Sequence, residues 1–517
     1  MSYQIIREEH ADMNTIPEQR ELCRELPVVL GNVDYQAFQG RLKRIDELLR
    51  VSGMERGFVA QGIKTYEEKA QAAAKRERRE YKGLSVRCQA RIQQMYRQAL
   101  RCNVARQLTE KEYRRFSRRL ADSPLLQWFC GIGRVDAIRV PSKSALDRYD
   151  KLVPEAEVRA LVDALNRQAG EAEDGREQPL GLEEAAGLEV VLADTTCLKA
   201  NIHFPVDWVL LRDGARTLLK AILVIRRHGI KHRMEEPGEF LREMNRLSME
   251  MAQSRRRAGV VKGRKRILRR MKRLSRLIQH HAERYREVLK RRWAETDLSE
   301  GEMQQIVQRM EGVLERLPAA IRQAHERIIG GRLVKNAEKL LSLYEQELHV
   351  IVRGKANAEV EFGNTLFLAE QAEGVILDWR LVREISPGDP VLLTSSLRRL
   401  CQVFGDDPLG VGADRGFDSQ ETREYLEQRE IYNGVAARSI KRLKAQCQDD
   451  GFAALQGRRS QTEGRIGILQ NDFFGRPMRS KGFEHRELNV AWAVLAHNLW
   501  VIARLPQAVV RQKKKAA

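Results

Sequence analysis

The sequence predicts an α+β protein: a mixed sheet with flanking helices, interrupted by a long basic helical insertion and preceded by an all-helical N-terminal region. Three observations lead there. Short apolar runs bounded by turn residues occur at Glu189–Asp194 and again between His349 and Ala437, the pattern of buried strands. The stretches around them are rich in Arg, Lys, Glu, Gln and Ala, which favour helix. Finally, the 517 residues carry 92 Lys and Arg against 71 Asp and Glu, a net charge of +21 and a pI near 9.8. That excess exceeds what solubility requires and attracts polyanions, with nucleic acid the leading partner.

The first region runs from 1 to 180. Residues 35–120 contain no proline and read as helix. An apolar knot of Leu125, Leu126, Trp128 and Phe129 then ends at Gly131 and Gly133. Pro141-Ser142-Lys143-Ser144 has the form of a helix start, with a helix over 144–152. Two short helices joined by a glycine-containing turn form either a DNA-reading helix-turn-helix or an ordinary helical pair, and the residues leave both open. Ala169–Gly181 is polar, contains Gly and Pro, and reads as a linker.

The sheet-forming part is expected in two pieces, 187–225 and 349–505, around an insertion over 226–348. Between Arg255 and Arg276 the insertion has twelve Lys or Arg and no acid. Such a block is costly unless a polyanion neutralises it, so Arg264, Arg266, Arg269 and Arg270 are expected to contact DNA phosphates. Beyond it, strands are expected at His349–Val352, Val360–Phe362, Thr365–Leu368, Gly374–Asp378, Leu409–Asp414 and Ile431–Ala437, with turns near Gly354, Gly363-Asn364 and Glu373-Gly374. A helix is expected over Leu392–Phe404, and 458–505 reads as mostly helical. Residues 506–517 form a basic tail.

The longest apolar runs, Val209–Ile225 and Leu488–Leu505, are broken by polar residues and read as buried helices, so no membrane partner is expected. The seven cysteines are scattered without a CxxC pair, which points to a reducing cytoplasm.

Two strand-like runs each end on a carboxylate, at Asp194 and at Asp414. Neighbouring strand ends bring such a pair within one cation's reach. A third carboxylate from a nearby helix would complete a site for two hard divalent cations, which activate an attacking oxygen and stabilise the leaving oxygen of a phosphodiester. Glu463 is the third candidate. On a helix, Arg459, Glu463, Gly467 and Gln470 form one stripe beside an apolar stripe of Ile466, Leu469 and Phe473. Gly467 would leave room for DNA. Other polar residues have blander readings: Asp418 and Asp207 as helix caps, Asp378 as a surface strand-end acid, His203 and His497 as packed histidines. Lys355 is either a phosphate contact or a solvated turn lysine.

Four segments carry a family resemblance. ADTTCLKANIHFPVDWVLL (Ala193–Leu211) resembles the first-Asp motif of DDE transposases encoded by bacterial insertion sequences. RGKANAEVEFGNTLFLAE (Arg353–Glu370) is similar to the strand pair that follows it. ADRGFDSQETREYL (Ala413–Leu426) resembles the second-Asp motif, and RRSQTEGRIGILQNDF (Arg458–Phe473) the helix bearing the catalytic Glu. Their order and setting agree over roughly 189–505. The resemblance implies an RNase H-like core, a triad of Asp194, Asp414 and Glu463, and Mg²⁺ or Mn²⁺ as cofactor, two per active site. It implies endonuclease and strand-transfer activity in DNA transposition and recombination, on double-stranded transposon ends and target. It also implies a homo-oligomer on DNA, a nucleoid-associated location, and Arg459 near the DNA backbone. Alternatives of other classes are a nuclease of the same fold without strand transfer, and a non-cutting DNA-binding descendant. The chain departs from the family at two places: Gln456 stands where many relatives carry Tyr, and Gln470 where many carry Lys. Gln470 is expected to project beside Glu463 and to donate to phosphate.

Overall fold

The structure, a computed structural model, describes residues 3–4, 23–24, 26, 28–132, 138–171, 178–254, 260–355 and 358–508. Tyr3–Gln4 (β1) pairs with Cys23–Arg24 (β2) ahead of a run of helices. These are α1 (Val33–Val51), α2 (Met54–Arg76), α3 (Val86–Thr109), α4 (Tyr113–Asp122), α5 (Pro124–Phe129), α6 (Lys143–Asp150) and α7 (Glu155–Gly170). Side-chain caps start several of them. Ser142 accepts from the Ala145 N–H at the head of α6, which is the start expected from the Pro-Ser-Lys-Ser run. Of the expected linker, α7 takes the first residues and 172–177 lie outside the described residues.

The sheet follows: β3 (Val190–Lys199), β4 (His349–Lys355), β5 (Ala358–Glu370), β6 (Ile376–Leu381), β7 (Gly410–Ala413) and β8 (Tyr432–Val435). Its order is β4-β5-β3-β7-β8, with β6 pairing the same strand, β5, as β4 does. β3, β7 and β8 are mutually parallel, whereas β5 is antiparallel to β3, β4 and β6. The architecture is therefore α+β with a mixed six-stranded sheet.

Two expectations about the strands fail for identifiable reasons. The turn expected at Gly363-Asn364 is absent, and β5 runs straight through it. Gly363 is there because β3 passes close: a Cβ would strike the Leu198 carbonyl oxygen. β3 also continues five residues past Asp194, to Lys199, because Asp194–Lys199 all pair with β5. Asp194 thus sits inside its strand, at the level where the shorter β7 stops.

The insertion is a four-helix unit of α8 (Asp207–Arg227), α9 (Pro237–Gln253), α10 (Val260–Arg292) and α11 (Glu300–Ala324) around one core. It begins at Asp207 and not at 226, since Leu211, Leu218 and Ile222 of α8 pack against Met271, Ile278 and Leu317. Asp207 is no cap. It lies in the first helical turn, where it pairs with Arg327 at 3.0 Å and accepts from Gln323.

After β6 come α12 (Asp389–Phe404), α13 (Gln420–Gln428), α14 (Ile440–Gln446), α15 (Asp450–Ile468), a π-helical turn over Leu469–Phe474, and α16 (Phe483–Ile502). One face of the sheet (Val191, Ala193, Phe367, Ala369, Val411) packs on α12 and α13. The other (Leu198, Leu366, Leu368, Trp379) shares a single core with α15, α16 and helices α1–α7. The N-terminal region is therefore one face of the same core, not a separate unit. No helix among the described residues is long and apolar enough to cross a membrane.

Asp378, expected at the surface, is 4% exposed. It holds Arg159 of α7 at 3.0 Å and Arg399 of α12 at 2.9 Å, and accepts from Ser396 at 2.6 Å. A buried carboxylate persists only with such partners. His497 is buried as expected, but His203 is exposed.

Two glycines give a test of packing. Gly363→Ala should lower stability by about 1–3 kcal/mol through overpacking against β3. Gly312→Ala, inside α11 where a Cβ meets nothing within 4 Å, should raise it by about 1 kcal/mol. Urea midpoints of the two variants check both signs.

Candidate active site

The register of β3 on β7 builds the centre of the site. Val190↔Gly410, Val191↔Val411, Leu192↔Gly412 and Ala193↔Ala413 are paired in parallel, so the next residues, Asp194 and Asp414, stand side by side. In parallel strands, residues at matching positions share a face. That face is the one covered by α15: a Cβ on Gly412 would meet Leu192 at 2.8 Å and Leu455 of α15 at 3.7 Å. Both aspartates are half-buried. Each has Oδ1 fixed by local backbone, Asp194 on the Thr195 N–H and Asp414 on the Gly416 N–H, both at 2.7 Å. A further acid, Asp389 in the first turn of α12, lies near Asp414. Its Oδ2 and the Asp414 Oδ1 are 2.9 and 2.8 Å from where a Gly416 Cβ would sit. Asp389 carries no such signal in the sequence, because it follows a Pro-Gly pair and opens a helix, without strand context.

Glu463 lies on α15, which packs across β3, β7 and β8. The stripe expected on this helix is correct in its apolar half, since Ile466, Leu469 and Phe473 are buried. Gly467 faces open space. Glu463 itself is turned outward: its side chain is 58% exposed and Oε1 accepts from Arg459 Nη1 at 3.0 Å. Among the described residues, no three His, Cys, Asp or Glu side chains are close enough to hold a metal ion. The donor chemistry of Asp194 and Asp414 fits a hard divalent cation, while the expected third donor is engaged by Arg459. The two aspartates are brought together and Glu463 is not brought to them.

Gln470 differs from expectation. α15 gives way to the π-helical turn after Ile468, and the Gln470 amide donates to Thr196 Oγ1 at 2.7 Å and the Cys197 carbonyl at 3.4 Å. It is engaged by β3 and not presented to a phosphate. Asp418 is likewise no cap. Ser419 caps α13, and Asp418 is 5% exposed, bonded to the Arg438 N–H at 2.8 Å and paired with Arg423. The Lys355 side chain lies outside the described residues.

The basic insertion divides into two classes. Arg264 stacks on the Trp208 ring at 5.1 Å, and Arg270 pairs with Glu243 of α9 at 2.9 Å. Acids absent from α10's own basic run come from its neighbour. Arg266 and Arg269 are exposed on α10 together with Arg273 and Arg276, and none of the four has an ion-pair partner among the described residues. At helical spacing these four form one ridge.

A buried polar cluster anchors the other flank of α15. Arg465 Nε bonds Glu370 Oε2 at 3.0 Å, and its Nη1 lies 3.3 Å from His497 Nε2. Burial pushes the Glu370 carboxyl up against the pull of Arg465. Burial and the Arg465 guanidinium together hold the His497 ring down, at about 3. Comparisons with protein-family models, curated proteins and solved structures give no match to this chain.

The neutral His497 has a pH consequence. Its folded pKa is depressed, so its contribution is present above the unfolded value and disappears as pH falls toward the folded one. Between the ordinary histidine value of about 6.5 and about 3 the unfolded chain binds one extra proton, worth about 1.4 kcal/mol per pH unit. His497→Gln should remove that component. Denaturant titrations at pH 6.5, 5.5 and 4.5 should give a shallower decline of stability for the variant; parallel curves would place a proton on folded His497.

Proposed function

We propose that this chain is a DDE-type transposase that cleaves the ends of an insertion sequence and joins them to target DNA. The observation that carries the reading is the β3–β7 register, which sets Asp194 beside Asp414 on the sheet face crossed by the helix of Glu463. An antiparallel β5 next to β3, with β7 and β8 parallel to it, also suits an RNase H-like core. The four motifs that resemble the transposases fall on β3, on β4 and β5, after β7, and on α15, in that order.

Asp194 and Asp414 would hold the divalent cations, Mg²⁺ or Mn²⁺, with Glu463 joining them. When bound, such ions supply an acidified water and neutralise phosphate charge, so no protein base is required. The chain's own part is to fix the two carboxylates through their backbone bonds and to seat the DNA. Arg459 has a role in each state. In the free protein it pairs with Glu463. A DNA phosphate competes for the guanidinium through charge-assisted bonds and frees the carboxylate. The exposed ridge of Arg266, Arg269, Arg273 and Arg276 binds the duplex backbone, which is read by charge and not by base.

The direct test is to incubate the full chain with Mg²⁺, a duplex bearing the element's ends and a supercoiled target. Joined product is expected. Cleavage without joining would mean a nuclease, and a bound but uncut duplex a binding protein. Asp194→Ala, Asp414→Ala and Glu463→Ala should each abolish cleavage while end-binding in a gel-shift assay persists. A variant that still cuts at a substantial rate removes its residue from the triad.

Replacing Arg266, Arg269, Arg273 and Arg276 by Ala should weaken binding to all DNA alike. The slope of log affinity against log salt should flatten by roughly 0.9 for each phosphate no longer neutralised. Arg264→Ala and Arg270→Ala, whose partners are intramolecular, should lower melting temperature and leave the slope near wild type.

A further inference from the structure

The two departures from the transposase motif are both glutamines, and both are bonded to the segments that carry the aspartates. Gln456 Nε2 donates to the Ala413 carbonyl at 3.1 Å and to the Gly434 carbonyl at 2.7 Å. Ala413 ends β7 and immediately precedes Asp414. Gln470 Nε2 donates to Thr196 Oγ1 at 2.7 Å, and Thr196 lies two residues beyond Asp194 on β3. Arg476 donates to the Gln470 Oε1, which fixes the amide with its N–H groups toward the strand.

Glu463 stands midway, seven residues from each glutamine. Seven residues are nearly two turns, about 10 Å along the axis with about 20° of drift, so Gln456 and Glu463 share one flank of α15. The second interval enters the π-helical turn and ends on β3. The opposite flank is held separately, by Gln461 on the Ala372 carbonyl at 2.9 Å and Arg465 on Glu370. The Glu463 flank is tied at both ends to strands bearing the candidate metal ligands. A primary amide suits the first position because its two N–H groups satisfy two carbonyls at adjacent strand ends.

We propose that Gln456 and Gln470 are positioning residues that staple α15 to β7 and β3 and so fix the Glu463 flank of the helix over the sheet face that carries Asp194 and Asp414. The inference rests on the reading of those three acids as metal ligands. Groups that orient metal ligands change affinity for the ion when removed, by about 10–100-fold.

The test uses the full chain and Mn²⁺ alone as probe, with bound ion measured by electron paramagnetic resonance, followed by nicking of supercoiled plasmid against Mn²⁺ concentration. Gln456→Met and Gln470→Met keep the length and remove the amide. Each should melt cooperatively, bind Mn²⁺ about tenfold more weakly, and recover most of its nicking rate at saturating Mn²⁺. Gln470→Lys, which retains a donor, should keep the wild-type curve. Unchanged Mn²⁺ curves in both Met variants, or a Lys variant as weak as Gln470→Met, would overturn the proposal. So would loss of cooperative melting in both Met variants, because the glutamines would then hold the fold and not the site. If wild type itself neither binds Mn²⁺ nor nicks, the metal-site reading fails first, and the two failures are told apart.

Discussion

The parallel pairing of β3 with β7 ends at Ala193↔Ala413, and the next position on each strand is an aspartate. Elements on both faces of the sheet bear on that register. The surrounding elements hold it in place. β5 pairs alongside β3 for eight residues, with Gly363 allowing the close approach, and so fixes β3 well past Asp194. α12 and α13 bury the far face, and α15 crosses the near one.

The near face explains why the N-terminal helices cannot be considered apart from the sheet. α16 is buried almost all round, and its polar residues are the points at which it is tied down. Asn498 accepts from the Ile376 N–H at 2.9 Å and donates to Asn166 of α7 at 3.1 Å, while Asn489 accepts from Gln107 of α3 at 2.7 Å. Asp150 of α6 is 0% exposed, with Arg106 at 2.7 Å, Tyr113 at 2.7 Å and His485 of α16 at 3.0 Å. Burial opposes its charge, but Arg106, His485 and Tyr113 together hold its carboxyl down, at about 2. Such paired polar groups tie α16 to α3, α6, α7 and β6 at defined points.

Much of this is legible in the sequence. Apolar runs locate four of the six strands of the main sheet nearly in place, and the Ser142 cap locates α6. The positions of Asp194 and Asp414 at the ends of such runs expose the central pair. What is not legible depends on partners distant in sequence. Gly363 reads as a turn residue until β3 is seen beside it. Asp378 reads as a surface acid until Arg159 and Arg399, 219 and 21 residues away, close on it. The basic run of α10 reads as uncompensated until α9 supplies Glu243 and Glu250. Gln470 reads as a phosphate contact because an ideal helix projects it beside Glu463, and the π-helical turn that redirects it leaves no mark in hydrophobic periodicity.

If Asp194 and Asp414 share a divalent cation, iron placed there should cut the polypeptide beside them. Fe²⁺ supplied with ascorbate and peroxide generates radicals that cleave the chain next to any bound iron. Mapping the fragments by mass spectrometry should show cuts clustered near residues 194 and 414, suppressed by excess Mg²⁺ and absent in Asp194→Asn. Cuts elsewhere in the chain, or cuts at these positions that persist in Asp194→Asn, would contradict a cation shared by the two aspartates.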